Sequence, residues 1–156
     1  MSRVDDVVLV AVHEAGHVVV ATALGIPVRE VWVRPRLLRA PRGRTVYGRV
    51  TGTADEAAAV AGAGIEAEAM HVAAGTGVSL SRARRTACRD SETDLAELAA
   101  CLADPDAGLD RDGVWAWCHD LLCDHWPVVE AVAGALAASG RLSGRALDRV
   151  LSGGAR

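Results

Sequence analysis

The sequence predicts an α+β fold, mainly α with a small β-sheet, from three observations. Alanine-, leucine- and valine-rich runs of helical length fill most of the chain. Two short β-branched segments stand apart, each bounded by proline and glycine. The interior has no phenylalanine and one tyrosine to draw on, so alanine, valine and leucine must build it, which suits packed helices. At 156 residues the chain is expected to form one domain, 1–156, with a core of its own.

Each element follows from local chemistry. Val4 to Leu24 is good helix material, with Asp5 and Asp6 in the first turn, where carboxylates complement the helix dipole, and Gly25 as a stop. Val28 to Val33 and Val46 to Thr51 read as two strands joined by an arginine-rich loop. Asp55 to Ala74 is an alanine-rich helix, and Gly75 to Arg89 reads as a polar, basic connection. Glu92 to Leu102 is the next helix, with Ser91 as its expected N-cap. Asp104 to Asp110 breaks the helical pattern. Asp112 to Cys123, Pro127 to Ala138 with proline in the first turn, and Ser143 to Leu151 complete the helices.

The most specific string is HEAGH, His13 to His17, inside the first helix. Four residues make one turn, so both imidazoles leave the same face about 6 Å apart along the axis, close enough to bind one tetrahedral zinc. Glu14 then stands beside the metal, where a carboxylate can take a proton from water and pass it to a leaving amine. With five histidines and eight glutamates in the chain, about 0.01 such matches are expected by chance. A core helix with two hydrogen-bonded histidines is the structural alternative. It would require a partner for every one of these polar groups on an otherwise apolar segment.

Two histidines leave a catalytic zinc site one protein ligand short. Glu66, Glu68, His71, Asp90, Glu92 and Asp94 are all candidates, and spacing does not choose among them. Asp94 has a competing role: three residues after Ser91, it could complete a capping-box-like arrangement. Cys118, His119, Cys123 and His125 fit no common zinc spacing and read as part of an ordinary amphipathic helix. With no tight CxxC pair, the four cysteines are expected to be reduced thiols.

Over most of its length the chain resembles the peptidase domain of FtsH-type zinc metalloproteases. AVHEAGHVVVA (Ala11 to Ala21) is similar to that family's zinc helix, and VAGAGIEAEAM (Val60 to Met70) to its small-residue helix carrying a glutamate, here Glu68. SETDLAELA (Ser91 to Ala99) resembles the segment whose aspartate binds zinc, here Asp94, and the stretch from Trp126 to Leu151 resembles the closing helices. The resemblance implies zinc held by His13, His17 and Asp94, Glu14 as general base, and Glu68 supporting the fold or a ligand. The chain departs from the family where a glycine-rich approach to the aspartate is replaced by RRTACRDSETD. Neither an ATPase module nor a membrane anchor is expected in it.

A net charge of −3 argues against a general nucleic-acid-binding surface. No signal peptide or membrane span is expected, because His13, Glu14 and His17 interrupt the longest apolar run. All seventeen basic residues are arginine, which points to a GC-rich bacterial coding bias. Arg34, Arg36, Arg39, Arg42 and Arg44 form one cluster and Arg82, Arg84, Arg85 and Arg89 another; both are solvated loops or holders of an anionic partner. The expectation is a cytoplasmic, ATP-independent zinc metallopeptidase acting on a peptide or unfolded protein substrate. A maturation or biosynthetic metallohydrolase with one small peptide or amide substrate, or a catalytically silent zinc-binding module, are the alternatives.

Overall fold

The computed structural model describes residues 3–35, 40–48 and 52–153. The elements run α1 (Arg3–Ala23), β1 (Val28–Arg34), β2 (Arg42–Tyr47), α2 (Ala54–Thr76), α3 (Leu80–Asp90), α4 (Glu92–Leu102), α5 (Arg111–Asp124), α6 (Trp126–Ser139), β3 (Arg141–Ser143) and α7 (Gly144–Gly153). The fold is the expected α+β type, mostly helical with a small open sheet, and the HEAGH helix comes first.

α1 lies at the centre, packed against α2, α6 and the sheet. Being covered on several sides, it is apolar nearly all round rather than along one stripe, and Ala11, Ala15, Val18, Val20 and Ala21 are fully buried. By length and composition α1 could cross a membrane, but more than half of that stretch is buried inside the protein. The glycine of HEAGH is the point where α1 meets α2. A Cβ on Gly16 would stand 2.6 Å from both the Ala63 carbonyl oxygen and the Ala67 Cβ, too close for any side chain. α2 answers with small residues, buried without a break from Ala58 to Ala67. The larger fully buried side chains, Ile65, Leu98, Leu122, Leu136 and Leu147, fill the spaces around this helix pair.

Among the described residues the sheet has three strands in the order β2-β1-β3, both pairings antiparallel. Val31 pairs with Thr45 on one side and Leu142 on the other, so these three face the core, and all three are buried. Glu30, Trp32, Arg34, Arg42 and Arg44 alternate with them and point the other way.

Four expectations are corrected. The second strand is Arg42–Tyr47 rather than Val46 to Thr51. Its arginines point outward and Thr45 inward, so pairing with β1 overrides a composition that reads as a loop. The stretch Gly75 to Arg89, expected as a connection, is mostly helix, ending α2 at Thr76 and carrying α3 from Leu80 onward. Ala83 and Ala87, one turn apart, are buried there, while Arg82, Arg85 and Arg89 stay in solvent. β3, three residues long, was not anticipated; one inward leucine is too little pattern to read. Ser91 precedes α4 but makes no side-chain capping bond. Arg36, Arg39 and residues 49–51 lie outside the described residues.

Candidate metal centre

His13 and His17 leave α1 on the side facing α2 and the start of α4. Nε2 of His13 lies 3.2 Å from Nε2 of His17 and 2.9 Å from Oδ2 of Asp94, and that oxygen is 3.8 Å from His17 Nε2. One ligand atom from each of the three residues thus lies within 4.8 Å of the others, a group that could hold a metal ion.

The opposite ring nitrogens are tied down. His17 Nδ1 donates to the Val60 carbonyl at 2.7 Å, and His13 Nδ1 donates to Glu68 Oε2 at 3.2 Å. A ring that donates from Nδ1 presents the Nε2 lone pair when neutral, so α2 aims both imidazoles at the space they share with Asp94. The donor chemistry, two neutral imidazoles and one carboxylate with an outer partner on each ring, fits zinc. Glu68 therefore acts on His13 from behind. Gly64 on α2 leaves room for the rings: a Cβ there would overlap His17 Nε2 and stand 2.6 Å from His13 Nε2.

Glu14 is only 6 % exposed and lies under β2. Thr45 Oγ1 donates to Glu14 Oε2 at 2.8 Å, and Gly43 sits directly against the same carboxylate. Burial pushes the Glu14 carboxyl above its usual range, against the pull of His17, His13 and the Thr45 hydroxyl. That is the direction needed by a group that must both take and return a proton near neutral pH. Tyr47 lies on the same face of β2 as Gly43 and Thr45. Burial, then the charges of Glu14, Glu97 and Asp94, keep its phenol protonated well above its ordinary range.

Burial works against a charge on His13, but the hydrogen bonds to Asp94 and Glu68 outweigh it and push its pKa up to about 10. Burial likewise opposes ionisation of Asp94, yet its contacts with His13 and His17 hold the carboxyl well below the usual carboxylate range. Without metal, a charged His13 facing an ionised Asp94 neutralises the cluster. A bound cation would take over from that proton.

The other candidates for a third ligand are elsewhere. His71, Asp90 and Glu92 are exposed and outside the cluster. Glu66, fully buried, accepts from Arg84 at 2.5 and 2.9 Å and from His119 Nδ1 at 3.0 Å, and Arg84 stacks 5.3 Å over Trp115. This group joins α2, α3 and α5. Cys123 Sγ lies 3.5 Å from His119 Nε2, but Cys118 donates to the Ala59 carbonyl and His125 Nδ1 to the Leu121 carbonyl, so the cysteines and histidines of α5 and its C-cap form no metal-holding group among the described residues. Thr45, Gly43, Gly64, Tyr47 and the Val60 carbonyl shape the site without having been singled out. Only Gly64 and Val60 carried a signal, as part of the VAGAGIEAEAM string.

Searches against models of known protein families and against curated proteins return no match. A His-Glu-x-x-His helix closed by an aspartate, in a mostly helical chain, is consistent with the zincin-type metallopeptidase superfamily and with a zinc-dependent hydrolase.

Proposed function

We propose that the protein is a zinc metallopeptidase that hydrolyses peptide bonds in peptides or unfolded segments without ATP. The observation that carries this reading is the convergence of His13, His17 and Asp94 within 4.8 Å beside the buried carboxylate of Glu14. His13, His17 and Asp94 are the residues that would hold zinc, with Glu68 and the Val60 carbonyl orienting the imidazoles. Zinc bound there would polarise the scissile carbonyl and lower the pKa of water toward neutrality.

The chain's own residues do the rest. Glu14 accepts a proton from the attacking water as its oxygen bonds to the carbonyl carbon, then delivers it to the amine nitrogen as the C–N bond breaks. Thr45 fixes the Glu14 carboxylate through Oε2, which leaves Oε1 for the proton. β2 carries a strand on one side only among the described residues, and Gly43 and Thr45 on it touch Glu14. An extended peptide paired along that edge would bring its backbone over the cluster, a mode that tolerates many sequences. The narrower kinship with FtsH-type peptidases rests on the order of the HEAGH, VAGAGIEAEAM and SETDLAELA segments.

Metal analysis and a peptide-library digest test the reading together. The protein should carry one zinc per chain, lost on replacing His13 and His17 by alanine. Glu14→Gln should keep zinc and lower hydrolysis about 100-fold or more. Full zinc occupancy in the double histidine variant would reject the site. Near-normal turnover of Glu14→Gln would reject the base, and zinc without hydrolysis of any peptide would mark a binding module.

A further inference from the structure

The outer face of the β1–β2 hairpin carries more positive charge than the fold has answered. Arg34 pairs directly with Arg42 across the two strands, and Trp32 with Arg44. Like charges facing each other across an antiparallel pair are destabilising. Arg34, Arg42 and Arg44 are all exposed. Glu30, the acid on this face of the described strands, is already taken: Arg141 on β3 donates to its Oε2 at 2.5 Å. Arg34 leans 4.8 Å over the Trp32 ring, and no carboxylate reaches Arg34, Arg42 or Arg44 among the described residues. This basic face belongs to a chain whose net charge is −3, so it does not merely reflect an excess of arginine over acid.

We propose that Arg42 and Arg44 select the substrate of the site described above, favouring extended peptides with acidic side chains at alternate positions. The inference rests on the metallopeptidase reading for its edge-paired pose. Side chains directly opposite in an antiparallel pair stand about 4.5–5.5 Å apart at Cβ, and residues two apart share a face. A peptide lying along the outer edge of β2 therefore sets one side chain beside Arg44 and the next but one beside Arg42, where guanidinium groups can bind carboxylates bidentately. The intervening side chains turn inward, toward the buried face of β2 that carries Gly43, Thr45 and Tyr47. Guanidinium groups two residues apart on one face of the edge strand thus favour acids at alternate positions, and the partner is a peptide rather than another polyanion because the edge reads a backbone.

The test measures binding apart from turnover. Fluorescence anisotropy with zinc-loaded Glu14→Gln would compare peptides about ten residues long in which every second residue is glutamate, glutamine or lysine. The glutamate peptide should bind about tenfold tighter than the glutamine one, from two exposed ion pairs worth about threefold each. The lysine peptide should bind weakest, and raising the salt should close the gaps. R42E/R44E should invert the order, and if that variant does not fold, R42Q/R44Q should erase it. R85E, on the exposed side of α3, should preserve it. Equal binding of the three peptides, or an unchanged order in R42E/R44E, overturns the proposal. Charge-ordered binding with no hydrolysis by the wild-type protein would instead leave this surface standing and reject the hydrolase. Hydrolysis of all three peptides at equal efficiency would do the reverse.

Discussion

Both ring nitrogens of His13 are engaged, Nε2 by Asp94 and Nδ1 by Glu68, and the two acids should be separable by substitution. Asp94→Asn keeps the shape but loses the charged ligand, so zinc affinity should fall by more than about 100-fold; Glu68→Gln, which only loosens the ring from behind, should cost about 10–100-fold. Competition with a zinc-binding dye would rank them. A larger loss for Glu68→Gln would reverse the assigned roles. Had Asp94 been a cap, Asp94→Asn would spare the metal and cost about 1 kcal/mol of stability, but Ser91 makes no capping bond and the carboxylate points at His13. Gly64 gives a second contrast. An ordinary helix-interior glycine changed to alanine gains up to about 1 kcal/mol. Here the new methyl would occupy the space of both imidazoles, so Gly64→Ala should lower zinc affinity by about tenfold or more. Unchanged zinc affinity in that variant would mean the rings can move aside.

At the scale of elements, the legible pieces were those with a strong local period or a specific string. α1, α2 and α4 carry the site and were foreseen in nearly their observed positions. The misread pieces have their cause outside themselves. The first half of β2, Arg42 to Arg44, is made of residues that favour turns and solvent until β1 pairs with it, and β3 places Leu142 against Val31. α3 looked like a connection because its arginines outnumber its two inward alanines. The helix starts differ in a measurable way. Thr53 and Glu56 form a reciprocal capping box at α2, with bonds of 3.1 and 2.7 Å, whereas the Ser91 side chain is idle at α4. Thr53→Ala should cost about 1 kcal/mol in denaturant unfolding and Ser91→Ala no more than about 0.3 kcal/mol. Equal losses would mean that Ser91 caps in solution.

For the whole molecule, a metal held by α1 and α4, with α2 bracing both imidazoles, would bind the folded chain and not the unfolded one. Zinc at about 1,000 times its dissociation constant should add roughly 4 kcal/mol of stability, removable by chelator. The pH dependence follows from His13, whose folded pKa is raised to about 10. In metal-free protein this protonation contributes stability that is fully present below about pH 6.5 and is lost as the pH rises through about 10. Zinc requires the neutral ring, so binding near pH 7 should release about one proton per ion, and the zinc-induced rise in Tm should grow from about pH 6 to about pH 9. Calorimetry in buffers of different ionisation enthalpy would count the proton. Zinc uptake with none released would show that His13 is already neutral in the metal-free protein.

Two imidazoles one turn apart on an apolar helix, with a carboxylate next to the first, are a local pattern, and helical geometry alone turns that spacing into half a metal site. So HEAGH, the helical majority of the fold and the short list of acids able to complete the cluster could be read directly from the chain. Spacing could not say which acid completes it, and only the resemblance of SETDLAELA pointed to Asp94, because Asp94 lies 81 residues from His13 and meets it only after α1, α2 and α4 have packed. The same holds for Thr45 over Glu14, for the Val60 carbonyl behind His17 and for the room left by Gly64. Each is a contact between distant segments, set by how closely small side chains let the helices and the β1–β2 hairpin approach. No local propensity encodes that distance.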